Sequence, residues 1–295
     1  MQRRHSGGMS DFALTGFDLG TFVDATLAED LGTGLPGGGR DVTAESVIPA
    51  DARFSGVMDS RDAITVAGLP IAMTFFRALD PAMELEPLVG EGERVAPGTP
   101  LMRLAGNARA MLTAERSALN TVQHLSGIAT LTRRYVDAMG ESGCTLLDTR
   151  KTIPGLRHLE KYATRLGGAR NHRMGLWDAA MIKDNHILVA GGVAEAVARA
   201  RNAGVAAIIC EVDRIDQIEP ALDAGATHLL LDNMPTPILR EAVALVAGRV
   251  PTEASGGVTL ETIGAIAMTG VDYVSVGRLT QSAPAADIGL DFTPL

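Results

Sequence analysis

The rhythm of apolar and polar positions changes along the chain. Residues 21–32 ("TFVDATLAEDLG") place apolar side chains at helical spacing and stop at Gly32, which predicts a short helix. Residues 32–43 ("GTGLPGGGRDVT") have no period and read as a Gly-rich loop. Between 81 and 105 short apolar runs alternate with Gly-Glu-Gly-Glu and Ala-Pro-Gly turns, the pattern of a small sheet of short strands. Residues 108–140 form one long stretch of helical period, with Leu112, Leu119, Val122 and Leu125 close to one face.

From 145 the pattern becomes strand, loop, helix. Apolar strand candidates are 145–148, 179–183, 206–212, 228–232, 250–254 and 273–277, and "GGARNHR" could hide a seventh. From 206 their starts recur about every 22 residues, separated by helix patterns that close on Gly225 and Gly248. Runs that are apolar on both faces and separated by helices predict parallel strands. A closed or nearly closed β/α barrel is the economical reading, and an open doubly wound sheet is its rival. In a barrel the C-terminal strand ends share one face, so residues scattered over 130 positions converge there.

Charge sharpens this picture. The 295 residues carry a net charge of −9, yet the 39 residues from Asp148 to His186 hold eight Lys or Arg against four Asp or Glu. That block is +4 and the remainder −13. An acidic chain with 4% aromatic residues is a poor nucleic-acid binder, because it lacks both the basic surface and the stacking platforms. No segment approaches the ~18 apolar residues of a membrane span. The basic start, MQRRHSGGMSDF, lacks the apolar core of a signal peptide, and Met9 is an alternative start. Cys144 and Cys210 make no CxxC and read as reduced core thiols of a cytoplasmic protein. The positive block therefore suits a pocket for a small polyanion.

The strand ends supply the chemistry. Arg150, Lys151, Arg173 and Lys183, with His172 alongside, can hold several anionic groups. Arg157, Lys161, Arg165 and Arg170 fit solvated surface charges better. Glu211 and Asp232 end neighbouring strands and suit Mg²⁺, sugar hydroxyls or neutralisation of Lys183. Ser255-Gly256-Gly257 precedes a helix pattern at Thr259-Leu260-Glu261, and Gly277 ends the last strand. Such glycines let backbone N–H groups reach a phosphate, with a helix N-terminus adding its dipole. The residues point to a β/α-barrel enzyme for a phosphorylated substrate and a second anion.

"DTRKTIPGLRHLEKYATRLGGARNHRMGL", "MIKDNH", "LLLDNM", "EASGG" and "VSVGRLTQSAP" together resemble the quinolinate phosphoribosyltransferase family, the carboxylating nicotinate-nucleotide pyrophosphorylases. "AERSALNTVQHLSGIAT" and "LAEDLG…RDVT" extend the resemblance over roughly 20–292. It implies an α/β fold: an incomplete seven-stranded β/α barrel of the type II phosphoribosyltransferase kind, with an N-terminal α/β sandwich domain. The expected organisation is a disordered tail at 1–10, the N-terminal domain at 11–118, the barrel at 119–281, and 282–295 returning to the first domain.

The resemblance also implies an activity: transfer of phosphoribosyl from phosphoribosyl pyrophosphate to quinolinate with decarboxylation. Nicotinate mononucleotide, pyrophosphate and CO₂ result, in NAD biosynthesis, with Mg²⁺ and no organic cofactor. It assigns catalysis to Lys151, Lys183, Glu211 and Asp232. Thr149, Arg150, His172 and Arg173 would bind substrate, with Arg116 reaching in from the other subunit of a homodimer or of a higher oligomer. Ser255, Gly256, Gly257, Gly277 and Gln281 would meet phosphate, and Glu211 with Asp232 would share Mg²⁺ held mainly by the substrate. Neither nucleic acid nor membrane is an expected partner.

Three departures from the family pattern stand out. Leu279-Thr280-Gln281-Ser282 replaces Leu-Thr-His-Ser, so Gln281 is a neutral donor where a histidine is usual. Ile209-Cys210-Glu211-Val212 keeps one glutamate of a usual two, and "GLPGGGR" lengthens the loop before Asp41. The rival enzymes are the family's molybdenum-transport paralogue and a Schiff-base aldolase using Lys183. A non-enzymatic polyanion binder is the rival outside catalysis. The intact Lys183-Asp184-Asn185-His186 segment argues against the paralogue.

Overall fold

The computed structural model describes residues 13–295, so the expected tail at 1–10 lies outside the described residues. In chain order the elements are α1 (Leu19–Leu31), α2 (Val42–Val47), β1 (Arg53–Ser60), β2 (Ile64–Thr65), α3 (Leu69–Leu79), β3 (Glu84–Pro87), β4 (Arg94–Val95), β5 (Pro100–Asn107) and α4 (Ala108–Met139). Then come β6 (Thr145–Leu147), α5 (Arg157–Leu166), β7 (Ala180–Ile182), α6 (Asp184–Ala190), α7 (Val193–Asn202), β8 (Ile208–Val212), α8 (Ile218–Ala224), β9 (His228–Asp232) and α9 (Thr236–Val246). The chain closes with β10 (Thr252–Ser255), α10 (Ile263–Ala267), β11 (Tyr273–Ser275), α11 (Arg278–Gln281) and β12 (Ile288–Pro294).

The chain divides into two compact units. The first holds residues up to Thr130, His158–Leu166 and Pro284–Leu295. Its antiparallel sheet runs β12-β1-β5-β3, so the last strand of the chain pairs with the first. Phe75 and Phe76 of α3 are fully buried in its core. Glu91 caps α3 by accepting the Gly68 and Leu69 amides, and Tyr162 Oη donates to it at 2.6 Å. Gly32 takes the left-handed conformation that ends α1, as its position predicts, and Asp41 accepts the Thr43 and Ala44 amides at the start of α2.

Residues 131–157 and 167–283 form the second unit. All six strand candidates pair in parallel, in the order β6-β11-β10-β9-β8-β7. An isolated parallel bridge between Leu147 and Arg170 sets the predicted "GGARNHR" segment beside β6. That is the cyclic order of a β/α barrel left open between the Arg170 segment and β7. The barrel is therefore incomplete, and Leu146, Cys210, Leu229, Leu231 and Val274 pack its outer face against helix residues such as Val197, Ile218 and Leu239. Burial, helped by the nearby Asp272 and Glu211 charges, pushes the Cys144 and Cys210 thiols up to about 12, which keeps both unreactive. No helix among the described residues is long and apolar enough to cross a membrane.

Three local expectations change. Lys161 is not a solvated charge: it is 1% exposed, on a face of α5 that buries Leu159, Glu160, Ala163 and Thr164 as well. Glu160 on that face lies 2.8 Å from His124. Arg157 is half-buried and donates to Thr152 Oγ1 and to the Met174 carbonyl. α9 ends on Ala247, itself left-handed, one residue before Gly248. Finally, 259–261 is a turn tied by the Thr262 hydroxyl, and α10 begins only at Ile263. A five-residue helix starting six residues past Gly257 adds no useful dipole at the glycines.

Candidate active site

Each strand of the second unit ends where its sequence leaves the apolar run, and parallel pairing puts those ends on one side. β6 is followed by Asp148, which is fully buried and accepts from Asn171 Nδ2 (2.6 Å) and the His172 amide (2.8 Å). That clasp holds the 149–151 turn beside the 171–173 segment. The Lys151 amide donates to Thr149 Oγ1, and the Thr280 hydroxyl donates to the Lys151 carbonyl at 2.7 Å. A Cβ at Gly277 would stand 2.7 Å from Lys151 Cδ, so glycine there leaves room for the lysine.

Arg150 and Arg173 lie side by side with their Nε atoms buried and without a hydrogen-bond partner. Neither forms an ion pair among the described residues. Arg173 Nη1 donates to the Ala179 carbonyl at 2.8 Å. Burial, and then repulsion from Arg150, lowers the Arg173 pKa against the opposing pull of Asp178. Two crowded guanidiniums with unmet donors form a receptor for anions.

β7 delivers Lys183, whose Nζ is 2.6 Å from Glu211 Oε2 at the end of β8. His186 Nδ1 accepts the Lys183 amide at 3.0 Å and fixes the turn into α6. Asp232 ends β9 and accepts from Asn233 Nδ2 at 2.5 Å. Asn233 adopts a left-handed φ of 54° and donates its amide to the Ser255 carbonyl. Gly256, at φ 90°, passes so close that any Cβ would overlap the Asn233 side chain. Among the described residues the Gly256 and Gly257 amides donate to no carbonyl, which leaves them available to a ligand.

These groups line one cavity of ≈ 730 Å³. Thr149, Arg150, Lys151, His172, Arg173 and Lys183 are on its wall, and so are Glu211, Asp232, Ser255, Gly256, Gly257, Gly277 and Gln281. Arg116 is not: it is exposed on α4 in the first unit. The sequence reading gave no role to Asn233, His228, Arg278 or Glu253. Glu253 had a signal, a lone acid in an apolar strand. His228 had none, because it opens its strand like any solvated residue.

Glu211 and Asp232 supply oxygen donors from adjacent strands, the type Mg²⁺ takes. Among the described residues no group of three or more His, Cys, Asp or Glu is placed to hold a metal. Two carboxylates fit an ion whose remaining ligands are phosphate oxygens and water.

The family pattern for the quinolinate phosphoribosyl transferase C-terminal domain matches residues 128–291, and that for its N-terminal domain matches 41–126. The chain belongs to the quinolinate phosphoribosyltransferase family. A probable carboxylating nicotinate-nucleotide pyrophosphorylase of Synechocystis is 46% identical over 230 residues, 76% of this chain and 78% of the relative. The Mycobacterium leprae nicotinate-nucleotide pyrophosphorylase [carboxylating] is 42% identical over 279 residues, covering 91% and 95%. The crystal structure of NadC from Streptococcus pyogenes superposes with a TM-score of 0.90 at 36% identity, over 97% of this chain and all of that one. In this quinolinate phosphoribosyltransferase, then, the paired guanidiniums and the Ser-Gly-Gly turn face one cavity.

Proposed function

We propose that this cavity joins quinolinate to the ribose of phosphoribosyl pyrophosphate and then removes one carboxylate. One observation carries the reading: Arg150 and Arg173, both half-buried, bring two guanidiniums with buried, unpartnered Nε atoms to a wall that also bears the Gly256-Gly257 turn. A 2,3-dicarboxylate satisfies the first and a 5′-phosphate the second. Lys183, paired with Glu211, lacks the apolar surroundings of a Schiff-base lysine, so the aldolase reading is not favoured.

The pyridine nitrogen attacks C1 of the ribose as the C1–O bond to pyrophosphate breaks. Lys151 and Lys183 face the negative charge that gathers on the leaving group, while Glu211 and Asp232 hold the ribose hydroxyls. When bound with the pyrophosphate, Mg²⁺ supplies further positive charge to its oxygens, and Glu211 and Asp232 are the residues that would hold it. Alkylation makes the ring nitrogen cationic. The C2–carboxylate bond then breaks, CO₂ departs, and the electron pair left at C2, stabilised by that nitrogen, takes a proton from water. Arg150 and Arg173 orient the two carboxylates throughout. The active form is a homodimer in which Arg116 completes the partner's site.

With quinolinate, phosphoribosyl pyrophosphate and Mg²⁺, pyrophosphate and CO₂ should appear in equal amounts. Nicotinate lacks the second carboxylate and leaves a half-buried cation unpaired, so its kcat/KM should be at least ~10³-fold lower. Equal use of nicotinate would refute the dicarboxylate site.

Gln281 ends α11, on the cavity wall, with its amide bonded to the Gly277 carbonyl. A side-chain hydrogen bond to a charged phosphate contributes ~1.5–3 kcal/mol. Gln281→Ala should thus weaken phosphoribosyl pyrophosphate by about one to two orders of magnitude, with quinolinate binding to the free enzyme unchanged. Calorimetric titration of both substrates checks this, and an unaltered phosphoribosyl affinity puts Gln281 outside the site.

A further inference from the structure

The barrel-side wall of the cavity holds an acid that the reaction does not use. Glu253 is the second residue of β10, in register with Leu230 of β9 and Tyr273 of β11, and it is fully buried. Its Oε2 lies 3.2 Å from His172 Nε2 and 3.0 Å from His228 Nε2. The His228 ring stacks on Tyr273, with centroids 5.7 Å apart and planes within 18°. A buried carboxylate needs such company, since isolating it in the barrel core would be prohibitive.

We propose that Glu253, backed by His228, is a positioning residue that sets the tautomer of His172 and through it the place of Arg173. This rests on the reading that Arg173 holds a carboxylate of the acceptor. The geometry fixes the protons from both ends. Burial raises the pKa of Glu253, but side-chain hydrogen bonds with His172, His228 and Ser275 oppose it and keep the group a carboxylate. The carboxylate is therefore an acceptor only, so His172 Nε2 must carry the hydrogen between them. At the other side of the ring, His172 Nδ1 receives the Arg173 amide at 2.7 Å, which requires a free lone pair there. Both contacts demand a hydrogen on Nε2 and a bare lone pair on Nδ1.

His172 thus has both ring nitrogens engaged within the protein. On this proposal its effect on the acceptor runs through Arg173. Its main chain is clasped by Asp148 and its ring by Glu253, and it anchors the Arg173 amide. The Arg173 guanidinium is tied at its far end to the Ala179 carbonyl. The arginine is held at both ends, which leaves its buried Nε free for the acceptor.

Glu253→Gln keeps the shape but lets an amide N–H face His172 Nε2. The hydrogen then moves to Nδ1, where it opposes the Arg173 amide. An acid-to-amide exchange that permits the wrong tautomer is costly in catalytic sites for this reason. The KM for quinolinate should rise at least 30-fold, while that for phosphoribosyl pyrophosphate stays within twofold. The chain has six histidines, so ¹⁵N-histidine labelling resolves the ring directly. In the unaltered protein at neutral pH, His172 should show hydrogen on Nε2 and a bare Nδ1, and Glu253→Gln should shift that signature. A protonated Nδ1 in the unaltered protein overturns the proposal, and that spectrum decides even where the variant does not fold. So does a folded Glu253→Gln that raises both KM values alike or leaves the His172 tautomer unmoved. Failure of the unaltered protein to turn over quinolinate would instead overturn the reaction, a separate result.

Discussion

Arg150→Ala is expected to lose ~2–5 kcal/mol of transition-state binding, about 30- to several-thousand-fold in kcat/KM for quinolinate. The argument is one of unmet charge. Arg150 has a buried Nε without a partner and crowds Arg173, whose pKa it helps to lower. That arrangement is unfavourable until a dianion arrives, so the dianion carries the compensating energy. The free protein should respond in the opposite direction. Removing one of two repelling guanidiniums should leave the melting temperature unchanged or raise it, as when a strained site is relaxed. Loss of activity together with loss of stability would mean that Arg150 is structural.

The same variant tests the subunit arrangement. Arg116→Ala should be as inactive as Arg150→Ala. Mixed under conditions of verified subunit exchange, the two should regain activity, because some heterodimers hold one intact site. No recovery would place Arg116 in its own subunit's chemistry or outside chemistry altogether.

Gly127→Ala should destabilise the protein, against the expectation from helix propensity. An exposed helical Gly→Ala exchange gains about 1 kcal/mol. Gly127, however, lies on the buried face of α4, where a Cβ would overlap the Pro284 carbonyl and reach 3.1 Å from Ala285 Cα. The returning chain is tied at that point: the Ala286 amide donates to the Gln123 carbonyl, and Gln123 Nε2 donates to the Ile288 carbonyl at 2.8 Å. Overpacking against backbone costs ~1–3 kcal/mol and can displace the strand that follows. The melting temperature should drop by about 2–10 °C. A rise would show that the Pro284 turn yields easily.

The contrast between these sites marks what was legible in the residues. Six strand candidates became β6 to β11 because a parallel strand buried on both faces is a short, continuous apolar run. Its end is visible where that run meets Lys183, Glu211 or Asp232. Parallel pairing then brings those ends together without further information, which is why thirteen predicted residues line one cavity. Lys161 went the other way: a charge on a helical pattern reads as solvated, and only packing revealed that this face of α5 is covered. Asn233 and Gly256 form a single close contact between two turns, and neither turn announces the other.

By itself the sequence determined the parallel strand–helix units, their loop glycines and the clustering of cations, because each follows from periodicity within ten or twenty residues; between a barrel and an open doubly wound sheet the periodicity did not choose. Tertiary structure alone decided three things: that the expected return of 282–295 is made as β12 paired with β1, that Gly127 makes room for that return, and that Glu253 takes His172 and His228 as partners. Such contacts depend on which element lies beside which, and their energy comes from burial and pairing. A local pattern records only that a residue is apolar or polar, not which distant group will meet it.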